Sequence, residues 1–215
     1  MIVDERITSY IHSLDQGNTQ LLTQIEREAR ADLVPIIRQE TAGFLKVLLR
    51  MQRPKNILEV GTAVGFSALF MSEYAPADCR ITTIEKYEKR IPVARENFRR
   101  AGKEDVITLL EGDATEILHS LTGTYDLIFM DAAKGQYIHF LPEVLRLLKK
   151  GGLLVSDNVL QDGDIIESRF AVTRRNRTIY SRMRDYLWQL KHMKEFETAV
   201  LTVGDGVTIS TKLTE

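Results

Sequence analysis

Residues 56–67 read Asn-Ile-Leu-Glu-Val-Gly-Thr-Ala-Val-Gly-Phe-Ser, a short apolar run that enters a glycine turn and then opens a helical pattern. Gly61 and Gly65 allow a tight backbone turn and a close approach to a ligand, where a Cβ would clash. The following helix offers free N–H groups, those of Ser67 and Ala68, to an anionic group. Many strand-to-helix turns carry glycine for geometry alone, so the turn takes its meaning from what surrounds it.

Downstream come four more apolar runs that end in an acid: RITTIE (80–85), VITLLE (106–111), YDLIFMD (125–131) and GLLVSD (152–157). Helical patterns at 66–75, 87–101, 114–121 and 136–149 separate them. Such alternation predicts an α/β fold with a parallel sheet covered on both faces. Near the end, KEFETAVLTVGDGVTISTKL reads as two strands around Gly204-Asp205-Gly206, a hairpin that closes the sheet with an antiparallel pair. Upstream, helical patterns at 4–14, 18–31 and 39–52 form an N-terminal cap (1–52) within one domain spanning 1–215.

Composition agrees with a globular chain: 44% hydrophobic and 27% charged residues exclude a disordered one. No apolar run approaches the ~20 residues that cross a bilayer. The first residues carry acids and lack a basic-then-apolar leader, and the single cysteine, Cys79, excludes an internal disulfide. A reducing cytoplasm is the expected setting.

Two strand ends complement the glycine turn. Glu85 ends the second strand 26 residues after Glu59, where a carboxylate can take both hydroxyls of a ribose. Asp113, beside Ala114 at the end of the third, can accept the exocyclic amine of adenine. Open parallel sheets bind ligands at these carboxyl ends. The Gly-x-Gly-x-x-Gly signature of nicotinamide enzymes is absent. Glu59 would repel a pyrophosphate but suits a ligand bearing an ammonium group. The alternative is that these acids cap helices or face solvent; their ordered occurrence favours a cofactor site.

Strand four ends in Met130-Asp131-Ala132-Ala133-Lys134 and strand five in Ser156-Asp157-Asn158. Neighbouring strands deliver their ends to one rim, so Asp131, Asp157 and Asn158 would converge as hard oxygen donors. Such donors suit Mg²⁺, with Mn²⁺ or Ca²⁺ also compatible. Lys134, one turn beyond Asp131, is placed to act as a general base. The bland reading makes Asp157-Asn158 a turn and Lys134 a surface lysine.

Together EVGTAVGFSALF, the Glu85 strand end, GDA, MDAAK and GGLLVSDNVL resemble the catechol and caffeoyl-CoA family of metal-dependent O-methyltransferases, over about residues 38–212. The resemblance implies a Rossmann-like class I methyltransferase fold, seven-stranded, with S-adenosylmethionine as methyl donor. It implies Asp131, Asp157 and Asn158 as metal ligands, Asp131 bridging metal and cofactor, and Lys134 as catalytic base. It places Glu59, Glu85, Asp113, Ala114 and the Ser67 region at the cofactor, and the backbone at Ile37-Arg38 beside its methionine part. A homodimer is expected from the same resemblance.

The net charge of −1 hides an asymmetry: residues 169–194 hold eight basic residues and one acid, giving +7 and leaving −8 elsewhere. This arm, with Arg174, Arg175 and Arg177, follows strand five and predicts an anionic partner near the rim. Phe170 or Tyr180 could stack on a base. Among bacterial members the chain resembles the tRNA 5-hydroxyuridine methyltransferases, which implies an anticodon-loop acceptor and 5-methoxyuridine as product. The alternatives are small catechols or hydroxycinnamoyl esters, or an RNA-binding module on a methyltransferase fold.

Overall fold

The computed structural model describes residues 3–168 and 170–214, so Arg169 of the basic arm lies outside the described residues. Seven strands form one sheet: β1 Asn56–Val60, β2 Arg80–Glu85, β3 Ile107–Glu111, β4 Tyr125–Met130, β5 Leu148–Ser156, β6 Phe196–Leu201 and β7 Val207–Lys212. Their order is β3-β2-β1-β4-β5-β7-β6. The first five strands are parallel. β7 lies antiparallel between β5 and β6, as the hairpin reading predicts.

Among the described residues eight α-helices accompany the sheet: α1 Glu5–Ser13, α2 Gln20–Ala31, α3 Gln39–Gln52, α4 Phe66–Tyr74, α5 Ile91–Arg100, α6 Ala114–Ser120, α7 Tyr137–Leu147 and α8 Arg177–His192. Two boundaries differ from the sequence reading by more than two residues. α5 starts at Ile91, because Tyr87–Arg90 forms a turn and Pro92 occupies the helix's first turn. β5 starts at Leu148, which pairs with Tyr125 before a register shift at the glycines that follow. Among the described residues no helix is long and apolar enough to cross a membrane.

Strand alternation splits the core in two. Ile57, Leu127 and Phe129 face one layer with Leu22, Leu45, Leu49 and Met71. Leu58, Val60, Ile128 and Met130 face the other with Tyr137, Phe140, Tyr186 and Leu190. Helices over both faces leave the strand ends open, and that is where the site forms. Cys79 is buried, as a small apolar side chain would be.

Candidate active site

The turn after β1 runs through left-handed backbone at Gly61 (φ 107°), Ala63 (φ 48°) and Gly65 (φ 83°). A Cβ at Gly61 would collide with the backbone oxygen of Asp131, so glycine lets the β1 and β4 ends touch. Gly65 does something else: a Cβ there would meet the Phe98 ring at 2.5 Å. Its bare Cα serves helix packing rather than ligand approach.

Glu85 holds this turn in place. Its Oε2 accepts from Ala63 N at 2.8 Å, and Oε1 accepts from Lys86 N and Tyr87 N at 2.9 and 2.8 Å. Asp113 caps α6 by accepting from Thr115 N at 2.9 Å, and Lys86 Nζ lies 3.4 Å from its other oxygen. The Thr115 N–H holds the Asp113 carboxyl below its ordinary range, with Lys86 adding to it. Both acids therefore combine a local structural bond with a place on the cavity wall.

That cavity measures about 770 Å³, within the usual range for a cofactor site. Arg38, Gly61, Ser67, Glu85, Asp113, Ala114, Asp131, Lys134 and Asn158 all line it, joined by Thr62, Tyr87, Gln136 and Phe140. Glu59, Gly65, Ala68 and Asp157 do not. Glu59 shares a sheet face with Ile57, so alternation turns it under α4 instead of toward a ligand. There it accepts a very short bond from Thr83, while its Oε1 has no partner among the described residues. Burial pushes its carboxyl up to about 7, against the Ser67 and Thr83 hydroxyls. A direct contact between Glu59 and a ligand's ammonium group is not what this geometry offers.

The β4 and β5 ends stay in register past their strands: Asp131 N donates to Val60 O and Asp157 N to Met130 O, both at 3.0 Å. Asp157 Oδ1 accepts from Asn158 N at 2.8 Å and from Thr41 Oγ1 at 3.4 Å. Its Oδ2 is buried without a hydrogen-bond partner among the described residues. Burial, then Glu59, raises the Asp131 carboxyl above its ordinary range; burial, then Asp131, does the same to Asp157. Lys134 opens a short 3-10 turn (Lys134–Gln136) ahead of α7, so the α-helix itself begins three residues later.

Among the described residues no three His, Cys, Asp or Glu side chains gather as a metal cluster. The set at this rim is two carboxylates and an amide. An orphaned buried oxygen and two acids that oppose each other's ionisation fit a divalent cation, which would supply the missing counter-charge.

An O-methyltransferase family model matches residues 12–213. A catechol O-methyltransferase of Niastella koreensis is 34% identical over 169 residues, 76% of each chain. Caffeoyl-CoA O-methyltransferase 2 of Populus trichocarpa is 33% identical over 184 residues, 79% of this chain and 72% of that one. This chain belongs to the O-methyltransferase family. It is of the class I, S-adenosylmethionine-dependent kind. A Staphylococcus aureus crystal structure superposes with a TM-score of 0.90 at 32% identity, covering 97% of this chain and 100% of that one. The S-adenosylhomocysteine-bound methyltransferase PaMTH1 of Podospora anserina gives 0.88 at 27%, covering 98% and 95%.

In this O-methyltransferase the basic arm divides by role. Arg182 donates to Gly135 O and Arg184 to Ile165 O, each at 3.0 Å, and Lys191 donates to Thr198 O at 2.6 Å. Arg177, half-buried, donates to Val172 O at 3.2 Å. These cations tie backbone together. Arg174 and Arg175 are exposed and make no ion pair among the described residues. Tyr180 is buried with its hydroxyl on Glu167 O at 2.9 Å, so it has no free face for stacking; Phe170 is 86% exposed. Sequence reasoning missed Thr41, Asp162 and Asp205, all polar groups that reach the rim from other elements.

Proposed function

We propose that this chain moves the methyl group of S-adenosylmethionine onto one of two neighbouring oxygens of its acceptor, with Asp131, Asp157 and Asn158 holding a divalent cation. Mg²⁺ suits these donors, and Mn²⁺ or Ca²⁺ would also fit. When bound, the cation acidifies an adjacent hydroxyl and orients a vicinal oxygen pair. Lys134 Nζ takes the hydroxyl proton. The acceptor oxygen then bonds to the methyl carbon as the carbon–sulfur bond breaks and its electron pair stays on sulfur. Gly61, Ser67, Glu85 and Asp113 hold the cofactor, and Phe140 keeps part of the wall dry.

The acceptor we favour is 5-hydroxyuridine at the tRNA wobble position, giving 5-methoxyuridine. Its O5 and C4 carbonyl oxygen form the required pair, and a single-stranded loop base can be splayed into a pocket. Arg174 and Arg175 carry this reading. They are exposed, without ion partners among the described residues, and on a segment whose helix is fixed to Gly135 beside Lys134. The Niastella and Populus relatives favour a second reading, a small catechol or a hydroxycinnamoyl ester, with the arginines meeting coenzyme A phosphates. Side-by-side methylation of hydroxyuridine-containing tRNA and a catechol panel separates the two.

A homodimer belongs to the same proposal. Ile7, Tyr10 and Ile11 on α1, with Leu14 at its C-cap, form an exposed stripe at helical spacing along a helix with no buried residue. Sedimentation at micromolar concentration tests it.

A further inference from the structure

Gly204-Asp205-Gly206 joins β6 to β7, and by sequence it is only a chain reversal. Because β7 runs antiparallel to β5, with Thr208 opposite Ser156, the turn arrives at the rim that carries Asp157 and Asn158. It is pressed against that rim. A Cβ at Gly206 would lie 2.7 Å from Leu160 N, and one at Gly204 would lie 2.7 Å from Thr41 Oγ1. Val159 N donates to Gly206 O at 2.9 Å and Leu160 N to Asp205 O at 3.1 Å, so the turn also holds the loop after β5.

A carboxylate in a hairpin turn ordinarily faces water, yet Asp205 is 3% exposed. A buried carboxylate is costly unless its oxygens are matched. Both are. Oδ1 accepts a very short bond from the backbone N–H of Asp162. Oδ2 lies 3.4 Å from Lys134 Nζ. The Asp162 side chain continues the series, accepting from Arg38 Nη2 at 2.9 and 3.1 Å, and Arg38 lines the cavity.

We propose that Asp205 is a positioning residue for methyl transfer. It anchors the Lys134 amine at the cavity wall and supplies a counter-charge for the ammonium formed when that amine takes a proton. Through the Asp162 backbone it also links that placement to Arg38, another residue of the cavity lining. A lysine side chain is rich in rotamers, and an anchored carboxylate narrows them before the reaction begins. The inference rests on Lys134 being the base proposed above.

The test is a double-mutant cycle of Asp205→Asn with Lys134→Met, with melting temperatures measured alongside. Asparagine keeps the shape and can still accept from Asp162 N–H, but it removes the charge facing Lys134. Asp205→Asn should lower kcat about 10–100-fold while each KM stays within about threefold. In the Lys134→Met background it should cost nothing further. A fully active Lys134→Met enzyme would remove the base reading itself. With Lys134→Met slowed by roughly 10²–10⁴-fold but still measurable, an unchanged kcat in Asp205→Asn would overturn the positioning role. So would a loss of the same factor in both backgrounds, or one matched by a lost folded fraction.

Discussion

Thr83 donates its hydroxyl to Glu59 from directly across the β1–β2 pairing, and Thr62 Oγ1 joins the same chain 2.6 Å from Thr83 Oγ1. A carboxyl buried at the base of the cofactor turn thus braces it through two hydroxyls. Its pH behaviour follows from burial. Glu59 titrates near 7 in the fold against an ordinary 4.5. The folded chain carries no penalty from this group below about pH 4.5, loses stability as pH rises toward 7, and levels off above. The loss is at most about 3 kcal/mol. Glu59→Gln, measured without cofactor or metal, should therefore raise Tm by at least a few degrees near pH 8 and hardly change it near pH 4.5. Equal shifts at both pH values would contradict this.

Asp157 stands behind the cavity wall while Asp131 and Asn158 line it. Asp157→Ala should consequently abolish methyl transfer and leave most of the S-adenosylmethionine affinity intact by calorimetry. EDTA should stop the wild-type enzyme, and Mg²⁺ or Mn²⁺ should restore it. Full turnover in a rigorously metal-free sample would rule out the donor set as a cation site.

Lys134→Ala tests the base directly. Lost general-base catalysis should lower kcat by roughly 10²–10⁴-fold with a much smaller change in KM. Partial recovery at high pH is expected, since hydroxide can replace the missing base. An unaltered kcat would make Lys134 a wall residue.

The arm's arginines are separable because only some of them bind backbone. Replacing Arg174 and Arg175 with alanine should raise the tRNA KM. It should also flatten the salt dependence of binding by about 0.7–0.9 log units for each phosphate left without its cation. Methylation of free 5-hydroxyuridine nucleoside should change little. Adding Arg177→Ala should also cost stability, given its bond to Val172 O. Equal losses on tRNA and nucleoside would assign Arg174 and Arg175 to the pocket instead.

What is legible in the sequence is what strand periodicity and strand ends dictate. Asp131, Lys134 and Asn158 reach the cavity because consecutive parallel strands must finish on one rim, and Asp157 comes with them. Proximity to the glycine turn points Glu59 at the ligand, although its spacing from Ile57 places it on the α4 face. Tyr180 reads as a stacking residue until the buried side of α8 is known. Asp205 is invisible as a site residue for a different reason. Its role depends on β7 inserting between β5 and β6, a pairing between segments about 50 residues apart that no local pattern encodes.

The most direct measurement is methyl transfer from labelled S-adenosylmethionine, with Mg²⁺, to hydroxyuridine-containing tRNA and to a catechol panel under one set of conditions. We expect label on O5 of the wobble uridine, with kcat/KM well above that for any catechol, and loss of the signal with EDTA. Label on catechols alone would contradict the RNA reading and leave the oxygen chemistry standing. Transfer to neither, from enzyme shown to bind S-adenosylmethionine, would contradict methylation of a vicinal oxygen pair altogether.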